Sequence, residues 1–355
     1  MAWPRVETGK GMRVLIVDDS PFMRRALERQ LAEAPDVTVV GKATDGLEAV
    51  KLALELRPDV ITMDVEMPRM DGIQAVTEIM QAVPTPIVMV STLTKEGAEV
   101  TLRALEAGAV EYVAKPSGLS HDIVGLGDQL RAAVFRASHA RVRRMRPKPQ
   151  PVAPPPSMVR AGGGHPSRQI VVIGSSTGGP PALTDVIPRL PGNFPAGVLV
   201  VQHMPRGFTE ALSRRLDAQS PLEVREAQPG DAIAAGTVLV APGDYHMTVT
   251  HDRRVAINQD PPRHGVRPSV DVTLESVARV YGRDATVAIL TGMGKDGAAG
   301  CVQVENAGGQ VFVQDEDSCV VYGMPKVAKE WTTRARQVTL AHMADALVRA
   351  VERAP

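Results

Sequence analysis

The hydrophobic pattern along the chain falls into two long periodic blocks separated by a stretch without periodicity. In the first block, short runs rich in Val, Ile and Met occupy residues 14–17, 37–40, 60–63, 87–90 and 112–113. Runs of this kind, bounded by polar residues, predict buried strands. Between them the apolar positions change to helical spacing, most clearly over 46–56 and 72–80, and a last helix is expected over about 123–139. Five strand–helix units predict a parallel sheet with helices on both faces.

The second block restarts with the very apolar run 169–173. Further strands fit 197–201, 237–240, 255–257, 286–290 and 310–313, and helices fit 180–189, 209–219, 270–280, 297–307 and 341–352. This pattern is α/β again and predicts a second doubly wound, mostly parallel sheet. Between the blocks, residues 143–168 are basic and hold seven prolines and the glycine run Gly162, Gly163, Gly164. Such a segment favours extended, semi-stiff conformations and buries no core. The expected organisation is therefore one domain over 12–140, a linker over 141–168 and a second domain over 169–355. The basic cluster from Arg141 to Arg146 reads as a solvated helix end.

Composition narrows the possibilities. Hydrophobic residues make up 44% of the 355 positions, enough for two cores, so wholesale disorder is excluded. Forty basic and forty acidic side chains cancel, so no global field draws the chain to nucleic acid or to an anionic membrane. Cys301 and Cys319 are too few for a disulfide framework and lack metal-pair spacing. The N-terminus has no secretory-signal pattern, and no run approaches the roughly 20 apolar residues that span a bilayer, so a cytoplasmic location is expected.

Ligands of doubly wound sheets sit beyond the carboxyl ends of the strands, and polar residues cluster at those ends in the first block. Asp18 and Asp19 follow strand one, Asp64 ends strand three, Ser91 and Thr92 end strand four, and Lys115 ends strand five. Three converging carboxylates repel one another unless a cation sits among them, and hard oxygen ligands suit Mg²⁺. A lysine and a hydroxyl opposite supply the charge and the donor that a transferred phosphoryl group needs. Asp64 is the expected acceptor. The alternative, in which each acid merely caps the next helix, accounts less well for polar groups gathered at four strand ends.

These residues resemble the receiver domain of two-component response regulators over about 12–135, in the segments 17–20 (VDDS), 64–72 (DVEMPRMDG), Ser91-Thr92 and Lys115-Pro116. The resemblance implies phosphorylation of Asp64 by a histidine kinase. It adds Glu66 to the metal-binding set of Asp18, Asp19 and Asp64, and implies a switch through a strand-four hydroxyl and Tyr112. Ser91 is assigned as that hydroxyl, with Thr92 as the alternative.

In the second block, the run IVVIGSSTGG over 170–179 reads as a strand, a tight turn and a helix start. Gly174, Ser176 and Gly178 fit the G-x-S-x-G pattern, which lifts a serine hydroxyl out of a sheet toward helix N–H groups. The competing dinucleotide fingerprint fails on spacing and lacks an acid at the next strand end, which carries Gln202 and His203. His203 lies at the same sheet edge as Ser176 and is the candidate general base. Asp296, in the loop after the strand at 286–290, is the candidate for orienting its ring. Asp244, His246 and His264 also lie in loops and are expected to shape the cleft, with His246 left as an alternative base.

The segments 174–179, 202–205 (QHMP), 241–247 (APGDYHM), 267–271 (RPSVD), 290–297 and 318–325 resemble the methylesterase domain of the CheB family. With the receiver, the resemblance covers nearly the whole chain. It implies a flavodoxin-like receiver and a Rossmann-like methylesterase domain, with a Ser176–His203–Asp296 triad. The backbone N–H groups of Met293 and Thr177 would face the oxyanion, and the esterase reaction needs no cofactor. It further implies methyl-accepting chemotaxis receptors as substrate, hydrolysis of their glutamate methyl esters and deamidation of their glutamines. Two positions depart from the family pattern: Ser175 stands where alanine is usual, placing two hydroxyls side by side, and Lys295 stands where asparagine is frequent. The rivals from other classes are a receiver joined to a non-enzymatic binding domain and a receiver driving a DNA-binding output. The second block has no compact helix-turn-helix and no basic recognition helix to support the latter.

Overall fold

The computed structural model describes residues 11–92, 94–115, 123–143 and 165–352, and the chain divides into two compact units, Met1–Pro149 and Gln150–Pro355. Most of the linker expected over 141–168 lies outside the described residues.

The first unit alternates β1 (Met12–Val17), α1 (Pro21–Ala32), β2 (Val37–Ala43), α2 (Gly46–Leu56), β3 (Val60–Asp64), α3 (Gly72–Ala82), β4 (Ile87–Thr92), α4 (Lys95–Glu106), β5 (Glu111–Lys115) and α5 (Ile123–Ser138). The strands form one parallel sheet in the order β2-β1-β3-β4-β5. Every residue of β3 is buried, as expected where helices cover both faces. The helix starts are set by local chemistry: Ser20, Asp45, Asp71 and Thr94 each accept a backbone N–H of the first turn of the helix that follows. Each βα turn thereby brings a strand's carboxyl end and a helix N-terminus to one edge of the sheet.

The second unit contains β6 (Ile170–Ser175), α6 (Gly179–Val186), β7 (Gly197–Gln202), α7 (Phe208–Gln219), β8 (Glu223–Glu226), β9 (Thr237–Val240), β10 (His246–Val249) and β11 (Val255–Asn258). It continues through α8 (Val270–Tyr281), β12 (Ala285–Ile289), α9 (Ala298–Asn306), β13 (Gln310–Gln314), α10 (Met324–Trp331), β14 (Arg336–Val338) and α11 (Leu340–Glu352). Seven strands pair in parallel in the order β14-β13-β12-β6-β7-β9-β8. From β6 the chain winds outward through β7, β8 and β9, then returns to the other side of β6 as β12. The carboxyl end of β6 is therefore the topological switch point, where such sheets bind ligands. Strands β6, β7, β9 and β12 are buried along their whole length, and α8 packs Val270, Leu274 and Val277 into the same core.

Three features differ from the sequence expectation. The run 255–257 does not join the main sheet; as β11 it forms an antiparallel hairpin with β10. The edge strands β8 and β14 carry no clear apolar periodicity, and the short helix α10, which buries Met324, Pro325 and Ala328, was not among the expected helices. Only Val224 is buried in β8 and no residue is buried in β14, so an edge position leaves little pattern to read. The helix expected over 180–189 ends at Val186 and tightens into a 3₁₀ turn, Ile187–Arg189, because Pro188 offers no N–H to continue the helix. Among the described residues no helix is long and apolar enough to cross a membrane.

Candidate functional site

In the first unit the sheet edge gathers the expected acids. Carboxylate oxygens of Asp18, Asp19 and Asp64 lie within 4.8 Å of one another. Lys115 Nζ sits opposite, 2.7 Å from Asp64 Oδ2 and 3.0 Å from Asp18 Oδ2. Burial pushes the Asp64 carboxyl up to about 6; Lys115 opposes that shift and Asp18 adds to it. The site thus holds more negative charge than Lys115 neutralises, and its donors are all hard oxygens, so its residues fit Mg²⁺. A pocket of about 550 Å³ opens over the cluster, lined among others by Asp19, Glu66, Ser91 and Lys115. Glu66 therefore borders the site, outside the trio of converging carboxylates.

Ser91 is buried at the end of β4 and donates to the Gly97 carbonyl at 3.3 Å. Thr92 pairs with Lys115 in the ladder, but its side chain lies outside the description. Tyr112 is on β5 beside Met89, and burial pushes its hydroxyl well above the ordinary value. Gly72 is dictated by close approach: a Cβ there would lie 2.0 Å from the Asp64 carbonyl oxygen. Gly72→Ala is accordingly expected to force β3 and α3 apart and to cost about 1–3 kcal/mol. Calorimetry of the full chain checks this; an unshifted receiver transition would contradict it.

In the second unit, Ser176 follows β6 directly, His203 follows β7, and Asp296 lies in the loop after β12, so three adjacent strands deliver them to one edge. His203 Nε2 is 2.8 Å from Asp296 Oδ2. Asp296 is buried at the N-terminus of α8. There Val270 N–H donates to Oδ2 at 2.7 Å, and the Ser269 hydroxyl and Asp271 N–H donate to Oδ1 at 2.7 and 3.0 Å. The positive end of the helix dipole adds to these donors. Burial would raise this carboxyl, but the bond and charge of His203, then the Asp271 N–H and the Ser269 hydroxyl, outweigh it and hold it at about 2. An ionised Asp296 fixes the imidazole with hydrogen on Nε2, leaving Nδ1 as the basic nitrogen. Among the described residues the Ser176 hydroxyl makes no hydrogen bond to His203, so the third contact of the expected triad is not formed in this structure.

The two adjacent hydroxyls are distinct. Ser175 is fully buried and donates to Gln202 Oε1 at 2.7 Å, whereas Ser176 is partly exposed. The competing histidines also separate. His246 is buried, accepts the Ser269 N–H on Nδ1 at 3.2 Å, and faces the Pro261 carbonyl with Nε2 at 3.2 Å. That pattern fixes a neutral ring that supports Ser269, with no lone pair free for proton abstraction. His264, at φ 55°, bonds Asp271 Oδ2 at 2.9 Å, and Asp244 accepts from Arg267 at 2.7 Å. Lys295 is exposed and makes no ion pair with Asp296 among the described residues, so Asp296 keeps its four donors.

The Met293 N–H makes no hydrogen bond among the described residues and lies in the loop that supports Ser176: Ser176 N–H donates to the Thr291 carbonyl at 3.0 Å. A Cβ on Gly292 would lie 2.8 Å from Ser176 Cβ, so glycine permits that approach. The Thr177 carbonyl accepts the Thr291 hydroxyl at 3.0 Å, and its amide lies in the turn just before the N-cap of α6.

The response regulator receiver domain family matches residues 14–123, and the CheB methylesterase family matches residues 171–347. A protein-glutamate methylesterase/protein-glutamine glutaminase from Symbiobacterium thermophilum is 52% identical over 96% of this chain and 97% of its own. The chain belongs to the CheB methylesterase family. Relatives of the same name from Pyrococcus abyssi and Thermotoga maritima are 42% and 45% identical, covering 97% and 90% of this chain and 95% and 92% of theirs. As a CheB-family protein it is a carboxylic ester hydrolase coupled to a receiver domain. Gln202 and Ser269 are the site residues that the sequence reading assigned no role. Their signals were a polar residue closing an otherwise apolar strand and a serine one position before a helix.

Proposed function

We propose that this chain is a phosphorylation-activated protein-glutamate methylesterase, acting through a Ser176–His203–Asp296 triad on glutamate methyl esters of chemotaxis receptors. The observation that carries the reading is the His203–Asp296 pair, anchored on the α8 N-terminus beside the Ser176 turn. His203 Nδ1 takes the Ser176 proton as Oγ attacks the ester carbonyl, and Asp296 stabilises the resulting imidazolium. The tetrahedral oxyanion meets the Met293 and Thr177 N–H groups. His203 returns the proton to the departing methoxide, releasing methanol, and a water activated by the same ring frees the glutamate. A glutamine side chain takes the same path with ammonia as the leaving group. Mass analysis of receptor peptides tests this reading: conversion of methyl-glutamate and glutamine to glutamate supports it, and unchanged peptides contradict it.

The receiver spans 12–140 in this reading and the esterase 169–355. Asp18, Asp19 and Asp64, with Glu66 at the rim, would hold Mg²⁺, which supplies charge neutralisation for phosphoryl transfer from a chemotaxis histidine kinase. Asp64 accepts the phosphoryl group, and Lys115 and Ser91 hold its oxygens. Ser91, with Thr92 as the alternative, and Tyr112 carry the change outward. Phosphorylation adds roughly two negative charges and shifts the population from a form that blocks the esterase cleft to an open one. Deleting residues 1–168 is expected to raise the rate above that of the unphosphorylated whole chain; no rise would contradict the blocking. Asp64→Asn is expected to abolish stimulation by a phosphodonor while keeping the basal rate. Stimulation that survived the change would move the acceptor elsewhere. The reaction takes place in the cytoplasm, without nucleic acid or membrane insertion.

A further inference from the structure

One buried amide joins the nucleophile turn to the base loop. Ser175 and Gln202 are register partners at the ends of β6 and β7, beyond which the ladder stops. Gln202 Nε2 donates to the Ser176 carbonyl at 3.0 Å and to the His203 carbonyl at 3.2 Å. Its Oε1 accepts the Ser175 hydroxyl at 2.7 Å, and the His203 N–H donates to the Ser175 carbonyl at 3.1 Å. Gln202 is 2% exposed and Ser175 0%, so water does not substitute for these bonds. The fit over the next turn is tight, since a Cβ on Gly179 would lie 1.9 Å from Gln202 Oε1.

We infer that Gln202 is a positioning residue: with Ser175 holding its oxygen, its amide fixes the backbone of the nucleophile and of the base in one frame. The amide cannot turn over, because Oε1 would then face two carbonyl oxygens. The carbonyls it holds belong to Ser176 and His203 themselves, so losing it lets the two reacting groups drift relative to each other. Sub-ångström misplacement of that kind lowers the rate of attack without weakening substrate binding. This role rests on the triad reading above, and it gives Ser175 a function other than that of a second nucleophile.

The test compares Gln202→Ala, Ser175→Ala and the double variant in the full chain, with wild type and Ser176→Ala alongside. Two rates are read: methanol release from methylated receptor, and labelling by a fluorophosphonate probe, which needs only an activated serine. Gln202→Ala is expected to lower kcat and the labelling rate about ten-fold or more at unchanged KM. Ser175→Ala is expected to lower both a few-fold, and the double variant to match Gln202→Ala. Wild-type kcat and labelling in folded Gln202→Ala, or losses that multiply in the double variant, would overturn the inference. A kcat loss matched by the unfolded fraction in calorimetry would also overturn it. If Gln202→Ala does not fold, Ser175→Ala decides: reduced kcat at unchanged KM supports the clamp, and wild-type kcat rejects it. If wild type releases no methanol but labels at Ser176, the receptor substrate is wrong and the labelling series still judges the clamp.

Discussion

Ser176→Ala is expected to lower ester hydrolysis on the order of 10⁴-fold or more, because in the proposed triad removing the nucleophile disables the unit and leaves only binding and oxyanion stabilisation. Ser175→Ala, one residue away, is expected to stay within a few-fold of wild type. The contrast follows from burial and hydrogen bonding. Ser175 is sealed in the sheet with its proton committed to Gln202, while Ser176 stands partly exposed at the turn. Receptor binding should persist in Ser176→Ala, since the change removes only a hydroxyl from a partly open site. Rate assays on both variants decide the matter. A large loss in Ser175→Ala with an active Ser176→Ala would reverse the assignment.

Asp296→Asn is expected to lower kcat about 10⁴-fold, through the tautomer as much as through the charge. Asparagine can keep its carbonyl toward the Ser269 hydroxyl and the Asp271 N–H, which places its NH₂ against the Val270 N–H and His203 Nε2. His203 then accepts on Nε2 and carries its hydrogen on Nδ1, the nitrogen that must take the serine proton. The pH dependence of the wild type follows from the same cradle. The carboxyl lies at about 2, below its ordinary 3.8, so it stays ionised through the working range. Its folded-state value is depressed, so its contribution to stability is complete above about 4 and is lost as the pH falls through about 2. The acid limb of kcat/KM above pH 4 should therefore have the slope of one proton. A slope of two would show a second catalytic group titrating there.

The α/β architecture was legible because internal strands buried on both faces write near-continuous apolar runs, as at 170–173, 197–201 and 286–290. The Asp18, Asp19, Asp64 and Lys115 cluster was legible for a related reason: polar residues ending apolar strands have few other uses. What the sequence left open depended on which atom faces which. The order of residues does not tell that His246 spends both ring nitrogens on Ser269 and Pro261 while His203 turns toward Asp296. The motif position pointed to Ser176 over Ser175, but not to the Gln202 amide that holds the Ser175 hydroxyl. The β10–β11 hairpin escaped because a four-residue apolar strand reads the same inside the main sheet or beside it.

The central claim, a serine esterase switched by phosphorylation, is tested most directly by methanol release from methylated receptor. Wild type and Ser176→Ala are compared, each with and without a small-molecule phosphodonor. Release that rises with the phosphodonor in wild type and is absent from Ser176→Ala under both conditions is the predicted result. Release that survives in Ser176→Ala, or no release from folded wild type on competent substrate, would contradict it.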